Sequence, residues 1–305
     1  LNKITGLHIK VIEVYKDGDK QRKAGDELFI TGNETAIYFP RREHSLIKYG
    51  DRDRHFAVAV PPGEGRYVMD RETGKIATIK GPTMLLPDPR REVIVRRILT
   101  DKECSLLYPG NSEAVEYNRD LLEAAAATAG SGRSDVVSEA DFAELVSNKY
   151  QYASRIAPAG AAAERSVRGR MADEFSRGTS FTPPRTLTLN TKFDGVPCIN
   201  VWTGYAVMVV GKDGKREVHQ GPCSILLDYD QTLEILELST GKPKTTDVVQ
   251  RTVYLRTKNN KVSDIVTVET SDHVLADIKL SFLVNFEGDP DKWFEVDNYV
   301  KLLCD

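Results

Sequence analysis

The residues that could do chemistry in this chain are few, and their spacing does not suit it. Gly63-Glu64-Gly65 and Gly211-Lys212-Asp213-Gly214-Lys215 are glycine-rich, as a phosphate cradle must be. Neither has the Gly-x-x-x-x-Gly-Lys-Ser/Thr spacing that wraps backbone N–H groups around a phosphate, so both read as hairpin turns. The five histidines, His8, His44, His55, His219 and His273, are scattered. Asp272-His273 is half a metal site at most, and an Asp that bonds its own backbone in a turn accounts for it better. No Gly-x-Ser-x-Gly elbow occurs. Cys104, Cys198, Cys223 and Cys304 form no Cys-x-x-Cys pair and read as free thiols in a reducing cytoplasm. The expectation is a chain with no catalytic residue, no metal ligand and no cofactor, and therefore no enzyme.

Charge excludes further classes. The 305 residues carry a formal net charge of −3, with 29% charged and 40% hydrophobic residues. That balance fills ordinary cores and leaves no basic stripe for nucleic acid and no polybasic membrane anchor. No apolar run is long enough for a membrane helix. The chain opens without Met and stops at Asp305, and so reads as a piece of something longer. Two loops are dense in mixed charge: Asp51-Arg52-Asp53-Arg54 and Arg90-Arg91-Glu92. They are either solvated or a lateral interface with a like chain, where paired charges of both signs would fix register.

What remains is repetition. Thr73-Gly74-Lys75 followed by Gly81-Pro82 returns as Asp213-Gly214-Lys215 followed by Gly221-Pro222, at an offset of 140 residues. The copies keep glycine, proline and aliphatic positions and no reactive side chain. That is the mark of a building block. Asp17-Gly18 is a third hairpin signal. Short β-branched runs lie between these turns: Leu7–Tyr15, Leu28–Ile30, Ala36–Phe39, Arg66–Met69, Ile76–Ile79, Met84–Leu86 and Val93–Val95. Ile98-Leu99 is expected to close the second unit. From 111 to about 185 the composition shifts to Ala, Gly and Ser. Leu121–Ala127 reads as helix, and Ser138 reads as the N-cap of another. Strands resume over Leu187–Leu189, Cys198–Trp202, Tyr205–Val210, Lys215–His219, Ser224–Leu227, Leu233–Leu238 and Val248–Leu255. In the last block Ile278, Leu280, Phe282 and Val284 share one face of a long strand. A helix through Trp293, Phe294, Val296 and Tyr299 follows.

Several stretches resemble the major vault protein family. Asp17-Gly18-Asp19-Lys20 with Ala24-Gly25-Asp26-Glu27 resembles its repeat signature, as does Arg71-Glu72-Thr73-Gly74-Lys75. Leu238-Ser239-Thr240-Gly241-Lys242-Pro243-Lys244 is similar to the link that leaves the last repeat. Asp264-Ile265-Val266-Thr267-Val268-Glu269-Thr270-Ser271-Asp272-His273 is similar to the opening of the shoulder domain, of the stomatin/prohibitin/flotillin (SPFH, band 7) class. The resemblance implies a mainly β chain of tandem small antiparallel sheets followed by the start of an α+β shoulder. Expected boundaries are a partial repeat at 1–45, a repeat at 46–110, an insertion at 111–185, a repeat at 186–247 and the shoulder from 248 to 305. It implies a cytoplasmic, self-assembling shell protein whose partners are copies of itself, around an enclosed cargo that the sequence does not name. Gly18, Gly74, Gly81, Pro82, Gly214, Gly221 and Pro222 would be its structural turns. The alternative is an SPFH-type membrane-associated scaffold that builds rings or cages.

Overall fold

The computed structural model describes residues 1–48, 53–129 and 195–305. The chain is mainly β, built from many small antiparallel sheets. It divides into two compact units. Among the described residues one holds 1–98, 120–129 and 195–196; the other holds Leu99–Arg119 and Pro197–Asp305.

Three repeats lie along the chain. The first comprises β1 (Thr5–Val11), a side hairpin of β2 (Tyr15–Asp17) and β3 (Lys20–Arg22), β4 (Glu27–Thr31), β5 (His44–Leu46) and β6 (His55–Phe56). Its centre is β1, which pairs with β4, β5 and β6. Leu7, Ile9 and Val11 alternate along β1 and are buried, as the period of a strand requires. The second comprises β7 (Val58–Val60), β8 (Gly65–Asp70), β9 (Ile76–Lys80), β10 (Thr83–Leu85) and β11 (Glu92–Val95). Here β8 is central between β9 and β11, and β7 pairs with β10. Two helices follow, α1 (Asp101–Leu107) and α2 (Ser112–Ala129). Thr100 and Glu103 form a reciprocal capping box at the start of α1. The buried Asn118 amide then clamps both the N–H and the carbonyl of Leu99.

The third repeat comprises β12 (Cys198–Val201), β13 (Tyr205–Gly211), β14 (Arg216–Gln220), β15 (Cys223–Leu226) and β16 (Gln231–Leu233). It continues through β17 (Leu236–Ser239), β18 (Val249–Thr252) and β19 (Leu255–Arg256). β13 is central between β14 and β16, and β12 pairs with β15. A long hairpin of β20 (Asn260–Glu269) and β21 (Leu275–Val284) follows, then a 3-10 turn at Pro290–Phe294 and α3 (Tyr299–Cys304). The chain after β21 folds back onto the third repeat. Phe294, Tyr299 and Val300 pack with Ala206, Met208, Leu236, Leu255 and Val262 in one buried cluster.

Some expected elements take other forms. The run Leu233–Leu238 is two strands, broken at Glu234-Ile235, and Val248–Leu255 is broken at Val253-Tyr254. At the second break Thr252 Oγ1 accepts the Tyr254 N–H, which turns the chain out of the ladder. Ile98-Leu99 is not a strand, because Thr100 starts a helix. Ala36–Phe39 has strand composition but lies in no ladder. Ile278, Leu280 and Phe282 do share a face, yet that face of the two-stranded hairpin is exposed. The expected strand at Leu187–Leu189, the helix capped by Ser138 and most of 111–185 fall outside the described residues.

The three repeats superpose through their hydrogen bonds. The N–H of Gly25, Gly74 and Gly214 donates to Val11, Asp70 and Gly211 at 2.8, 2.8 and 2.9 Å. All three glycines have positive φ, at 99°, 70° and 81°, which L side chains resist. Seven residues on, the N–H of Gly32, Gly81 and Gly221 donates to Thr5, Glu64 and Tyr205 at 3.0, 2.9 and 2.9 Å. A side chain added there would fall 1.8, 1.9 and 2.0 Å from the carbonyl oxygens of Asn2, Pro61 and Trp202. The repeat spacing is therefore 49 residues from Gly25 to Gly74 and 140 from Gly74 to Gly214. Ahead of the hairpin the second offset becomes 141: Gly65 pairs with Lys80 as Ala206 pairs with Gln220. The third repeat has lost one residue from that hairpin loop.

Candidate functional site

With no reactive constellation to build on, the candidate site is the junction at which one repeat meets the next. Each central strand has a free end after two neighbours have paired with it. In all three repeats the chain that leaves toward the next unit fills that end. His55 on β6 pairs with Gly6, and the Ala57 N–H donates to Ile4 at 2.8 Å. The Val196 N–H donates to Gly65 at 3.1 Å. Leu255 on β19 pairs with Ala206, and the Thr257 N–H donates to Gly204 at 2.8 Å. Each central strand is thus completed by a segment from further along the chain. Small residues stand opposite in each case, Gly6, Gly65 and Ala206; at Gly6 an added Cβ would fall 2.3 Å from the Phe29 ring. At Gly65 an added Cβ would fall 2.8 Å from Val196 Cγ2.

The first junction is polar. The buried ring of His8 lies 3.1 Å through Nε2 from Glu27 Oε2, and its centroid is 6.2 Å from that of His55. Phe29 stands edge-on to His55 at 5.7 Å. Burial, then the like charge of His8, holds the His55 imidazole below its ordinary pKa, against a smaller opposing pull from Asp88. Burial alone would raise the Asp88 carboxyl, but hydrogen bonds from the Arg90 side chain and backbone hold it below the usual carboxylate range. Arg90 also donates from Nη1 to the Glu27 carbonyl at 3.0 Å, which ties the second repeat to β4 of the first.

The charged residues singled out in the sequence therefore divide. Arg90 is bonded inside the chain to Asp88 at 2.6 Å. Glu92 accepts the Asp88 N–H at 3.1 Å, as Gln231 accepts the Asp228 N–H at 2.9 Å in the third repeat. Arg91 faces Glu72 at 3.7 Å, both well exposed, and Asp53–Arg54 is a second exposed pair at 3.7 Å. Asp51 and Arg52 lie outside the described residues. Gly18 turns the side hairpin β2–β3 at φ 59°. Pro82 and Pro222 each follow their glycine through a cis peptide bond.

Sequence reasoning placed Gly25 in the repeat signature but aligned neither Gly25 nor Gly32 with the other copies. The signal was present: their spacing of seven matches Gly74–Gly81 and Gly214–Gly221. Among the described residues no group of three or more His, Cys, Asp or Glu side chains could hold a metal ion. Asp272-His273 forms a turn, with Thr270 donating to Asp272 and His273 Nδ1 2.7 Å from Glu269.

Residues 258–305 match the family model described as "Shoulder domain". Over 316 residues the chain is 24% identical to the major vault protein of Bos taurus, covering all of this chain and 28% of that one. It is 26% identical to the major vault protein of Gallus gallus over 315 residues, covering all of this chain and 29% of that one. With the major vault protein of Strongylocentrotus purpuratus it shares 26% over 291 residues, 94% of this chain and 26% of that one. Along its whole length the chain resembles the major vault proteins. It spans less than a third of the length of these relatives. The shoulder match opens at Lys258, directly after β19. These matches indicate no enzymatic family.

Proposed function

We propose that this chain is part of the wall of a vault-like particle, in which many copies of one protein stand side by side in the cytoplasm. The observation that carries this reading is the junction itself. Tandem repeats, each closed by chain from further along the sequence, would stack on their neighbours, and side edges of such a stack are where copies would meet. The resemblance to major vault proteins, from the first repeat into the shoulder, supports the same reading. Among the described residues no helix is long and apolar enough to cross a membrane. The membrane-scaffold alternative draws on the shoulder alone, while the resemblance runs through the repeats as well.

In this reading 1–45, 46–110 and 186–247 are repeats, 111–185 is an insertion and 248–305 opens the shoulder. The role of the chain is structural: it binds its own copies and turns over nothing. Lateral contacts between copies are heterologous and close into a ring, since only a closing rotation gives a finite shell. Asp51–Arg54 and Arg91 are the side chains proposed to face a neighbouring copy. The test is the full-length protein expressed alone and imaged by negative-stain microscopy. Large closed particles are expected, weakened by Arg91→Glu more at low salt than at high. A folded monomer at micromolar concentration would sink the proposal.

A further inference from the structure

The first repeat carries an element that the other two lack. Between Asp70 and Gly74, and between Gly211 and Gly214, the chain closes a tight turn. Between the corresponding Val11 and Gly25 it sends out the side hairpin of β2 and β3, two strands that pair only with each other. At its base the Ile12 N–H donates to the Glu43 carbonyl at 2.8 Å. Beyond that, among the described residues, side chains hold the hairpin to the repeat. The Tyr15 hydroxyl on β2 lies 2.6 Å from His44 Nε2 on β5. The Tyr38 hydroxyl lies 2.9 Å from the other ring nitrogen, Nδ1. The Arg41 guanidinium sits over the Tyr15 ring, 5.1 Å from its centroid, and 3.6 Å from the Asp17 carboxylate. Arg22 on β3 faces the same carboxylate at 3.7 Å.

We propose that β2–β3 is a hinged arm and that His44, held between two tyrosine hydroxyls, is its acid-released latch. A neutral imidazole has one N–H and one bare nitrogen, so it donates to one hydroxyl and accepts from the other. A protonated ring offers two donors and no acceptor, and the hydroxyl that had donated must turn away. Protonation also sets a second cation beside Arg41. Burial first, and Arg41 next, hold the His44 imidazole below its ordinary pKa; Glu43 and Asp17 pull the other way, and Arg22 pushes with Arg41. Burial raises the Tyr15 and Tyr38 hydroxyls, which stay neutral. The docked ring therefore resists a proton more than the undocked ring. Docking holds above a pH of about 6.5 and weakens as pH falls below it. A two-stranded hairpin is marginal by itself, so an undocked arm loses its ladder as well. The arm belongs to one folded chain, so its release stands or falls apart from shell assembly.

The experiment measures amide protection factors in β2 and β3, corrected for the intrinsic pH dependence of exchange, at about pH 7.5 and about pH 5.5. A loss of about threefold or more at the lower pH is expected. His44→Gln keeps a donor and an acceptor but cannot titrate. It should remove that loss, while the Ala57 amide at the first junction keeps whatever pH dependence it has in the parent chain. Tyr15→Phe should show at the higher pH the low protection that the parent shows at the lower, with no further fall. Equal protection at both pH values in the parent would overturn the proposal. So would a His44→Gln arm that loses protection in acid as the parent does, or a Tyr15→Phe arm as protected as the parent at the higher pH.

Discussion

His55, Val196 and Leu255 meet the central strand at one backbone position in three successive repeats, and their surroundings differ sharply. Leu255 is fully buried, in a cluster with Met208, Leu236, Phe294 and Tyr299. Val196 is buried against Gly65. His55 is half-buried between His8, Phe29 and the Asp88–Arg90 pair. The backbone hydrogen bonds set the junction, and the side chain sets how strongly it is held and what it responds to. Burial of a branched apolar side chain offers no charge for pH to change or for salt to screen. An imidazole among charges is sensitive to both.

The comparison breaks most easily at the apolar end. Leu255→Ala should cost about 2–5 kcal/mol, because the side chain is fully enclosed and leaves a cavity. Trp293 packs against the same cluster, so urea unfolding followed by its fluorescence reports the change. Val196→Ala removes less buried hydrocarbon and should cost about 1.5 kcal/mol. If the two substitutions cost the same, the junctions are not graded by burial. Next come the glycines. Gly221→Ala drives a methyl into the Trp202 carbonyl and should cost about 1–3 kcal/mol, because backbone cannot step aside. Gly214→Ala has open space around it and a positive φ, so about 1 kcal/mol is expected. Thermal melts of the two variants separate steric clash from backbone preference, and the reverse order would refute the superposition of the repeats.

Much of this was legible in the sequence and some was not, for physical reasons. The glycines at 74, 81, 214 and 221 stood out because positive φ and close backbone approach each exclude a side chain, so the residue type records the geometry. Gly25 and Gly32 obey the same rule but were hidden by the side hairpin β2–β3, which lengthens the preceding loop and disguises the offset. Thr100-x-x-Glu103 was a readable capping box, overlooked because Ile98-Leu99 suggested a strand. The equivalence of His55, Val196 and Leu255 was not readable at all. Their shared role is backbone hydrogen bonding to the central strand, and this leaves no trace in side-chain type. The strand at Ala36–Phe39 was read from composition alone, yet a strand exists only when something pairs with it.

The smallest expected effect is the one that tests whether side-chain identity matters at a common backbone site. A free imidazole titrates near ~6.5. In the folded chain burial and His8 hold His55 below that value. As pH falls below ~6.5 the unfolded chain takes up a proton at His55 that the folded chain refuses, so stability is present above that value and declines with acid. The decline continues until pH passes the folded value. Asp88 moderates it from the β10–β11 loop, and Glu27 stands beside His8 from β4. Urea midpoints should therefore fall between pH 7.5 and 5.5. His55→Val places the side chain of the second junction in the first, and it should flatten that decline while keeping the β6–β1 hydrogen bonds. An unchanged pH dependence in the variant would remove His55 from the account. A variant that loses its amide protection at Ala57 at neutral pH would show that the ring packs the junction and does more than titrate in it.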